Sequence, residues 1–400
     1  MNKKKKLKIL MIAPTPFFAD RGCHTQIYEE IKALKKLGHS IFLCTYHLGR
    51  DMPDLKIYRI INIPWYKKLG AGPSAHKFYL DILLFLKSLR VALKIRPDII
   101  HGHLHEGALL GFVVGKIIKR PLLFDYQGSL TSEMKAHNFI KDKSWLFWFF
   151  YRIEKIINNL ANSVVTQSEE MVNELIDKFK VKKEKVFLTM DGVNTDEFKP
   201  GYRVNDLRKK LGLSLNKKIV VYLGLLTKYQ GVDCLIKAIP YVLDEMPDVH
   251  FLIMGYPNEI FYQNMAKKYG VASQVTFTGR INYQEAPRYL CLADLAIAPK
   301  IAQTEADGKI YNYMASQLPI IASDRPVSKQ ILGEAAIYTK RDNPVSLAQG
   351  IKKLLQDEKL AKSLAAKARE KAVRDYSWDE VGRRIEKIYL ILNKWPSTKK

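Results

Sequence analysis

The sequence predicts an α/β protein made of two doubly wound domains. Short apolar runs alternate with amphipathic stretches of ten or more residues from end to end, which is the pattern of parallel sheets flanked by helices. The series breaks once, near 194–202, and then restarts. At 400 residues the chain is also longer than one hydrophobic core usually organises.

Taken in order, the first series places strands at 7–13, 40–45, 98–101, 122–125, 163–166 and 186–189, with helical patterns at 24–37 and 76–95 between them. After the loop DGVNTDEFKPG, strands follow at 218–223, 249–254, 275–278, 295–298 and 320–322. The expected domains are 1–197 and 198–378. No solenoid repeat or low-complexity tract interrupts them.

The apolar share of 47% and charged share of 26% are those of a folded chain, which excludes the disordered class. Cys23, Cys44, Cys234 and Cys291 are widely spaced with no CxxC pair. A reducing, cytoplasmic setting without disulfides or structural zinc is therefore expected. The start, MNKKKKLKILMIAP, reads as a buried first strand rather than a signal peptide, because its apolar run is short and contains Lys8. No run of about twenty apolar residues suggests a membrane span. The net charge of +25 is spread over both halves. It admits nucleic acid, an anionic membrane surface or phosphorylated small molecules as partners, beside a general lysine-rich bias. Without a nucleic-acid recognition motif, charge alone does not support the first of these.

Ligands of open α/β sheets sit beyond the carboxyl ends of the strands, so the residues that follow each strand hold the candidates. Gly22 precedes a helix after the first strand, where bare backbone lets a ligand approach, although no GxGxxG fingerprint is present. His101, His103 and His105 alternate at a strand end and would face one way if the strand continued. No downstream ligand cluster completes a metal site, so hydrogen bonding to a bound polyol is the expected use and no metal is expected. Asp125 and Gln127 follow the next strand and suit hydroxyl binding or local backbone bonding.

In the second series, Gly224 with Lys228 and Gly231, then Gly255, then Gly279 with Arg280, give three glycine-bearing strand exits. Together they point to a nucleotide pocket. The stretch TEADGKIYNYMASQLPIIASD adds Glu305 and Asp307 immediately before Gly308 and Lys309, where a helix begins. Helix-start N–H groups beside a lysine suit a diphosphate, and an acid just upstream suits the hydroxyls of a sugar hung from it. N-capping by Asp307 is the other reading.

At these residues the chain resembles the retaining glycosyltransferases of family 4. The likeness runs through Gly22, His103, DGVNTDEFKP, YLGLLTKYQGVDCLIKA, VTFTGRINY, GKIYNYMASQLPIIASD and YSWDEVGRRIEKIYLILN. It implies the GT-B architecture, with two Rossmann-like domains facing across a cleft and a terminal helix, 379–400, crossing back to the first. It further implies a UDP- or GDP-sugar donor held by the second domain, a glycan or lipid-linked acceptor held by the first, and transfer with retention and no metal cofactor. Glu305 is then the acid facing the donor sugar, with Asp307 second and His103 also catalytic. Gly22, Gly224, Lys228, Gly279, Arg280, Gly308, Lys309 and Asn312 bind donor, and Asp125 and Gln127 bind acceptor.

The chain departs from the usual pattern at four places. Leu225 and Gln230 stand where the phosphate-gripping Arg and Lys are usual, so Lys228 or Lys309 is expected to replace them. Asn312 replaces the second acid, and Gln317 stands where a glycine normally ends that helix. A nucleotide-sugar epimerase and a catalytically lapsed sugar-binding protein are the competing readings. The aromatic segment 144–156, bordered by Lys141 and Lys143, reads either as a helix packed on the first domain or as a patch for the inner face of a cell membrane.

Overall fold

The computed structural model describes residues 5–19, 22–69, 74, 76–136, 139–302 and 307–394. Its backbone forms two compact units, Met1–Met190 with Asp379–Lys400, and Asp191–Trp378. The division falls at Asp191 because the next residues bond within the second unit. Val193 N donates to Tyr376 O (2.8 Å), and the Arg369 guanidinium donates to Thr195 O (3.0 Å) and Phe198 O (2.7 Å).

Unit 1 runs β1 (Lys8–Ala13), α1 (Gly22–Lys36), β2 (Ser40–Thr45), β3 (Ile57–Arg59), α2 (Lys77–Ile95), β4 (Ile99–His103) and α3 (Leu104–Ile118). It continues with β5 (Leu122–Tyr126), α4 (Leu130–Ala136), α5 (Trp145–Leu160), β6 (Ser163–Thr166), α6 (Glu169–Asn173) and β7 (Val186–Leu188). The strands form one parallel sheet in the order β3-β2-β1-β4-β5-β6-β7. Strands such as β1 are buried on both faces, which is why they read as continuous apolar runs.

Unit 2 runs α7 (Asn205–Lys210), β8 (Lys218–Leu223), α8 (Val232–Leu243), β9 (Val249–Met254), α9 (Glu259–Lys268), β10 (Val275–Gly279) and α10 (Ala286–Leu290). Then come β11 (Leu295–Ala298), α11 (Gly308–Ala315), β12 (Ile320–Ser323), α12 (Pro326–Leu332), β13 (Ile337–Thr339), α13 (Pro344–Gln356) and α14 (Glu358–Asp375), after which α15 (Trp378–Asn393) returns the chain to unit 1 from Asp379 on. The unit 2 sheet is also parallel, in the order β10-β9-β8-β11-β12-β13.

The closing helix α15 packs on unit 1. Gly382 lies against Ala33 of α1, and Lys36 pairs with Asp379 at 2.6 Å. Each sheet has its own core, one around Leu10, Ile100 and Phe124, the other around Val220, Ile239 and Phe251. All eleven strands expected from the sequence are present. The two it lacked, β3 and β13, are three-residue edge strands, too short to show a period.

Strand order reverses between β1 and β4 in unit 1 and between β8 and β11 in unit 2. A ligand crevice opens where two neighbouring connections diverge to opposite faces of a sheet. The exits of those four strands are therefore where the site residues are to be sought.

Candidate functional site

In unit 1, β4 ends at His103, one residue before α3 begins. The expectation that three histidines share a face fails at that point, because His105 has already entered the helix. It packs by its edge on Phe124 and Tyr126, with Nε2 3.6 Å from Glu154. His101 and His103 stay together, their rings stacked at 4.4 Å.

His103 Nδ1 lies 2.9 Å from Asp125 Oδ2, and Gln127 Nε2 donates to the same oxygen at 2.7 Å. The two acceptor candidates are thus bonded to His103 and to each other. His103 Nε2 has no hydrogen-bond partner among the described residues. His101 Nδ1 lies 2.8 Å from the Tyr389 hydroxyl of α15 and 3.2 Å from Glu30 Oε1 of α1. Gly22, the first residue of α1, is exposed, with open space where a side chain would stand.

Burial governs the charges here. It pushes the Glu30 carboxyl up to about 8, with His103 opposing the shift and Asp125 adding to it, so the acid is protonated near neutral pH. Burial likewise takes His101 down to about 4, so that ring is neutral. Asp125 is the exception. Burial would raise it, but His103, His101 and Gln127 hold its carboxyl below the ordinary range. Glu30, His101 and His103 bring ligating atoms within 4.8 Å of one another, close enough for a metal ion. Within this grouping the Tyr389 hydroxyl bonds His101 Nδ1 and Asp125 bonds His103 Nδ1.

In unit 2, β8 leads into Gly224 and a 3₁₀ turn, Lys228–Gln230. Gly231 follows with φ +79°, and a Cβ there would stand 1.9 Å from Pro299 O, so only glycine fits. That close approach sets Gln230 beside the exit of β11. Lys309, in the first turn of α11, is buried and donates from Nζ to Gln230 Oε1 (2.8 Å) and Asp307 Oδ1 (2.5 Å). Its ammonium also sits 5.3 Å from the centre of the Tyr222 ring. A Cβ on Gly224 would meet Lys309 Cε at 2.9 Å, so the glycine leaves the lysine its channel.

Asp307 does not cap α11 with its side chain. Burial would raise its carboxyl, yet Lys309, Lys300 and Arg325 together hold it below the ordinary range. Lys309 is itself pushed down, first by burial and also by the like charges of Lys300 and Arg325, with Asp307 opposing. Lys300 follows β11 and Arg325 follows β12, and both are buried. Neither was singled out from the sequence, since no glycine marks either exit; the strand-exit rule alone would have found both.

The remaining donor candidates spread around this point. Gly308 is the exposed first residue of α11, and Asn312 lies half-buried one turn on. Lys228 is exposed. Gly279 closes β10 with φ +66°, and Arg280 lies over the Tyr256 ring at 5.3 Å. Glu305 falls outside the described residues. Gln317 takes the left-handed φ of +57° that the missing glycine would have adopted.

Residues 21–197 match the family Glycosyltransferase Family 4, and residues 204–371 match Glycosyl transferases group 1. The phosphatidyl-myo-inositol mannosyltransferase of Mycobacterium tuberculosis is 23% identical over 408 residues, which cover 96% of this chain and 96% of that protein. Among solved structures, sucrose-phosphate synthase from Thermosynechococcus elongatus superposes with a TM-score of 0.81 at 18% identity, covering 97% of this chain and 99% of that one. HepE of Anabaena, in complex with UDP and glucose, gives 0.75 at 16% identity, covering 96% and 100%.

Proposed function

The chain belongs to the GT-B glycosyltransferases, a family 4 half followed by a group 1 half, and from that premise we propose which substrates it joins and how. It moves a hexose from a UDP- or GDP-sugar, held by unit 2, to a glycan or lipid-linked acceptor held by unit 1. Transfer proceeds with retention and without a metal cofactor, and the product enters cell-envelope glycan.

The observation that carries this reading is the seat of Lys309. Leu225 and Gln230 leave the glycine loop without its usual cations, and Lys309 brings an ammonium to within 2.8 Å of Gln230 from another element. Lys300 and Arg325 bear on the same carboxylate, so positive charge gathers at the β8 and β11 exits. Charge develops on the diphosphate as the glycosidic bond breaks, and cations fixed beforehand stabilise that state more than the ground state. His103, steadied by Asp125, offers Nε2 to a sugar hydroxyl. Glu305 is proposed as the acid facing the donor sugar, with Asp307 holding the cations in place. HepE carries UDP and glucose in its structure, and the name of the mycobacterial relative specifies a lipid acceptor; both are in keeping with these assignments.

The test is a panel of nucleotide sugars with release of free UDP or GDP as the readout. Acceptor-dependent release is expected, and Lys309→Ala should slow it by about tenfold or more. A changed sugar without release would make the protein an epimerase, and binding without turnover would make it a lapsed module.

A further inference from the structure

The long helices on one side of the unit 1 sheet carry apolar side chains that no described residue covers. α2 packs along α3, and α3 along α5. On α2, Phe78 (77% exposed), Ile82 and Leu86 recur every four residues on the outside. On α3, Leu109, Val113 and Ile117 do the same. On α5, Trp145 (76% exposed), Trp148, Phe149 and Ile156 make an i, i+3, i+4 stripe. Three neighbouring amphipathic helices with their apolar rows turned outward make a patch far beyond scattered surface hydrophobics.

The charges on these helices identify what covers the patch. Each helix has one acid, and each acid is engaged. Asp81 accepts from the Tyr46 hydroxyl (2.5 Å), and Glu106 pairs with Lys77 (2.6 Å). Glu154 accepts from the backbone of Leu130 and Thr131 and from the Thr131 hydroxyl. The cations left are Lys87, Arg90 and Lys94 on α2, Lys116 on α3, and Arg152 and Lys155 on α5. The face is therefore apolar and cationic, with its negative charge withdrawn.

The aromatic and the basic side chains are also sorted along α2 and α5, the aromatics coming first. Each helix runs from a strand exit to the next strand's entry, so the N-terminal Phe78, Trp145 and Trp148 lie toward the edge that holds His103 and Asp125. The basic residues lie further along, from Lys87 on α2, at Lys116 on α3 and from Arg152 on α5. We propose that the face of α2, α3 and α5 docks on a bilayer surface of anionic phospholipid headgroups, with the aromatic ends bringing the acceptor edge of unit 1 to the lipid. Aromatic rings favour the interfacial zone, and each lysine or arginine adds attraction to an anionic leaflet. The surface gives the proposed lipid-linked acceptor its route to the enzyme, and in that sense it rests on the function proposed above.

The test floats the full chain with vesicles of phosphatidylcholine alone or with phosphatidylglycerol added, in low and high salt. Binding should require phosphatidylglycerol and weaken with salt. Arg152→Glu with Lys155→Glu, and separately Trp145→Ser with Trp148→Ser, should each cut it by about tenfold. Release of nucleoside diphosphate with a water-soluble acceptor should be unchanged in both variants, so failure of docking and failure of the transferase reading are told apart. No flotation, equal flotation on neutral vesicles, or variants that float like the parent would overturn the proposal. So would a vesicle-independent dimer that the tryptophan pair abolishes, which would make the face an interface between copies.

Discussion

Two of the buried clusters of ionisable side chains among the described residues are handled in opposite ways. In unit 1, around Glu30, His101 and Tyr389, burial removes charge: the acid takes up a proton and the imidazole gives one up. In unit 2, around Asp307, charge is kept. The carboxylate stays ionised because Lys309, Lys300 and Arg325 act on it together. A neutralised cluster fits a neutral polyol and a packed helix, and it needs no counter-ion. A cluster that gathers cations fits an anion, because positive charge held out of water otherwise costs several kcal/mol. The contrast is the one expected if unit 1 takes a neutral acceptor and unit 2 an anionic donor, as proposed.

The two clusters can be disturbed separately. The largest effect is expected from Gly231→Ala, whose Cβ would meet Pro299 O while φ stays at +79°. It should destabilise unit 2 by about 3 kcal/mol, read by chemical denaturation, and weaken nucleotide binding as Gln230 moves. A fully stable variant would show that the close approach is not needed.

Glu30→Gln sharpens the other side. A carboxyl at about 8 when folded and about 4.5 when unfolded holds its proton more tightly in the folded state. Its contribution is complete below about pH 4.5 and is lost as pH rises through about 8. Stability should fall across that window in the parent and fall less in Glu30→Gln. Parallel Tm-against-pH curves would remove Glu30 from the account.

Lys309→Ala, at about tenfold in turnover, corresponds to about 1.4 kcal/mol of barrier, and moving the cation back with Gln230→Lys should restore part of it. Smallest is Gln317→Gly, which relieves a left-handed residue and should raise stability by about 1 kcal/mol with turnover unchanged. A loss of turnover there would tie the end of α11 to the site.

Much of this was legible in the residues. Strands buried on both faces read as apolar runs, and Gly-Lys at a helix start pointed to α11. Other features needed the fold. Glu30 looked like an ordinary helix acid, yet it sits on the buried side of α1 with Ile27, Ile31 and Leu34, and a carboxylate inside an apolar stripe was its one signal. His105 misled because the end of β4 cannot be read from alternation alone. Lys300 and Arg325 come together only once β11 and β12 are seen as neighbours. The 144–156 segment was ambiguous because Tyr151 packs on Phe179 and stacks with Phe147, while Trp145, Trp148 and Phe149 stay exposed.

The central claim is that Lys309 and its neighbours grip a diphosphate. The most direct measurement is calorimetric binding of uridine, UMP and UDP, and of the guanosine series, to the parent and to Lys309→Ala. Affinity should climb with each added phosphate in one series, and the diphosphate's advantage should shrink in the variant. Equal affinity for nucleoside and diphosphate, or an advantage untouched by losing Lys309, would contradict it.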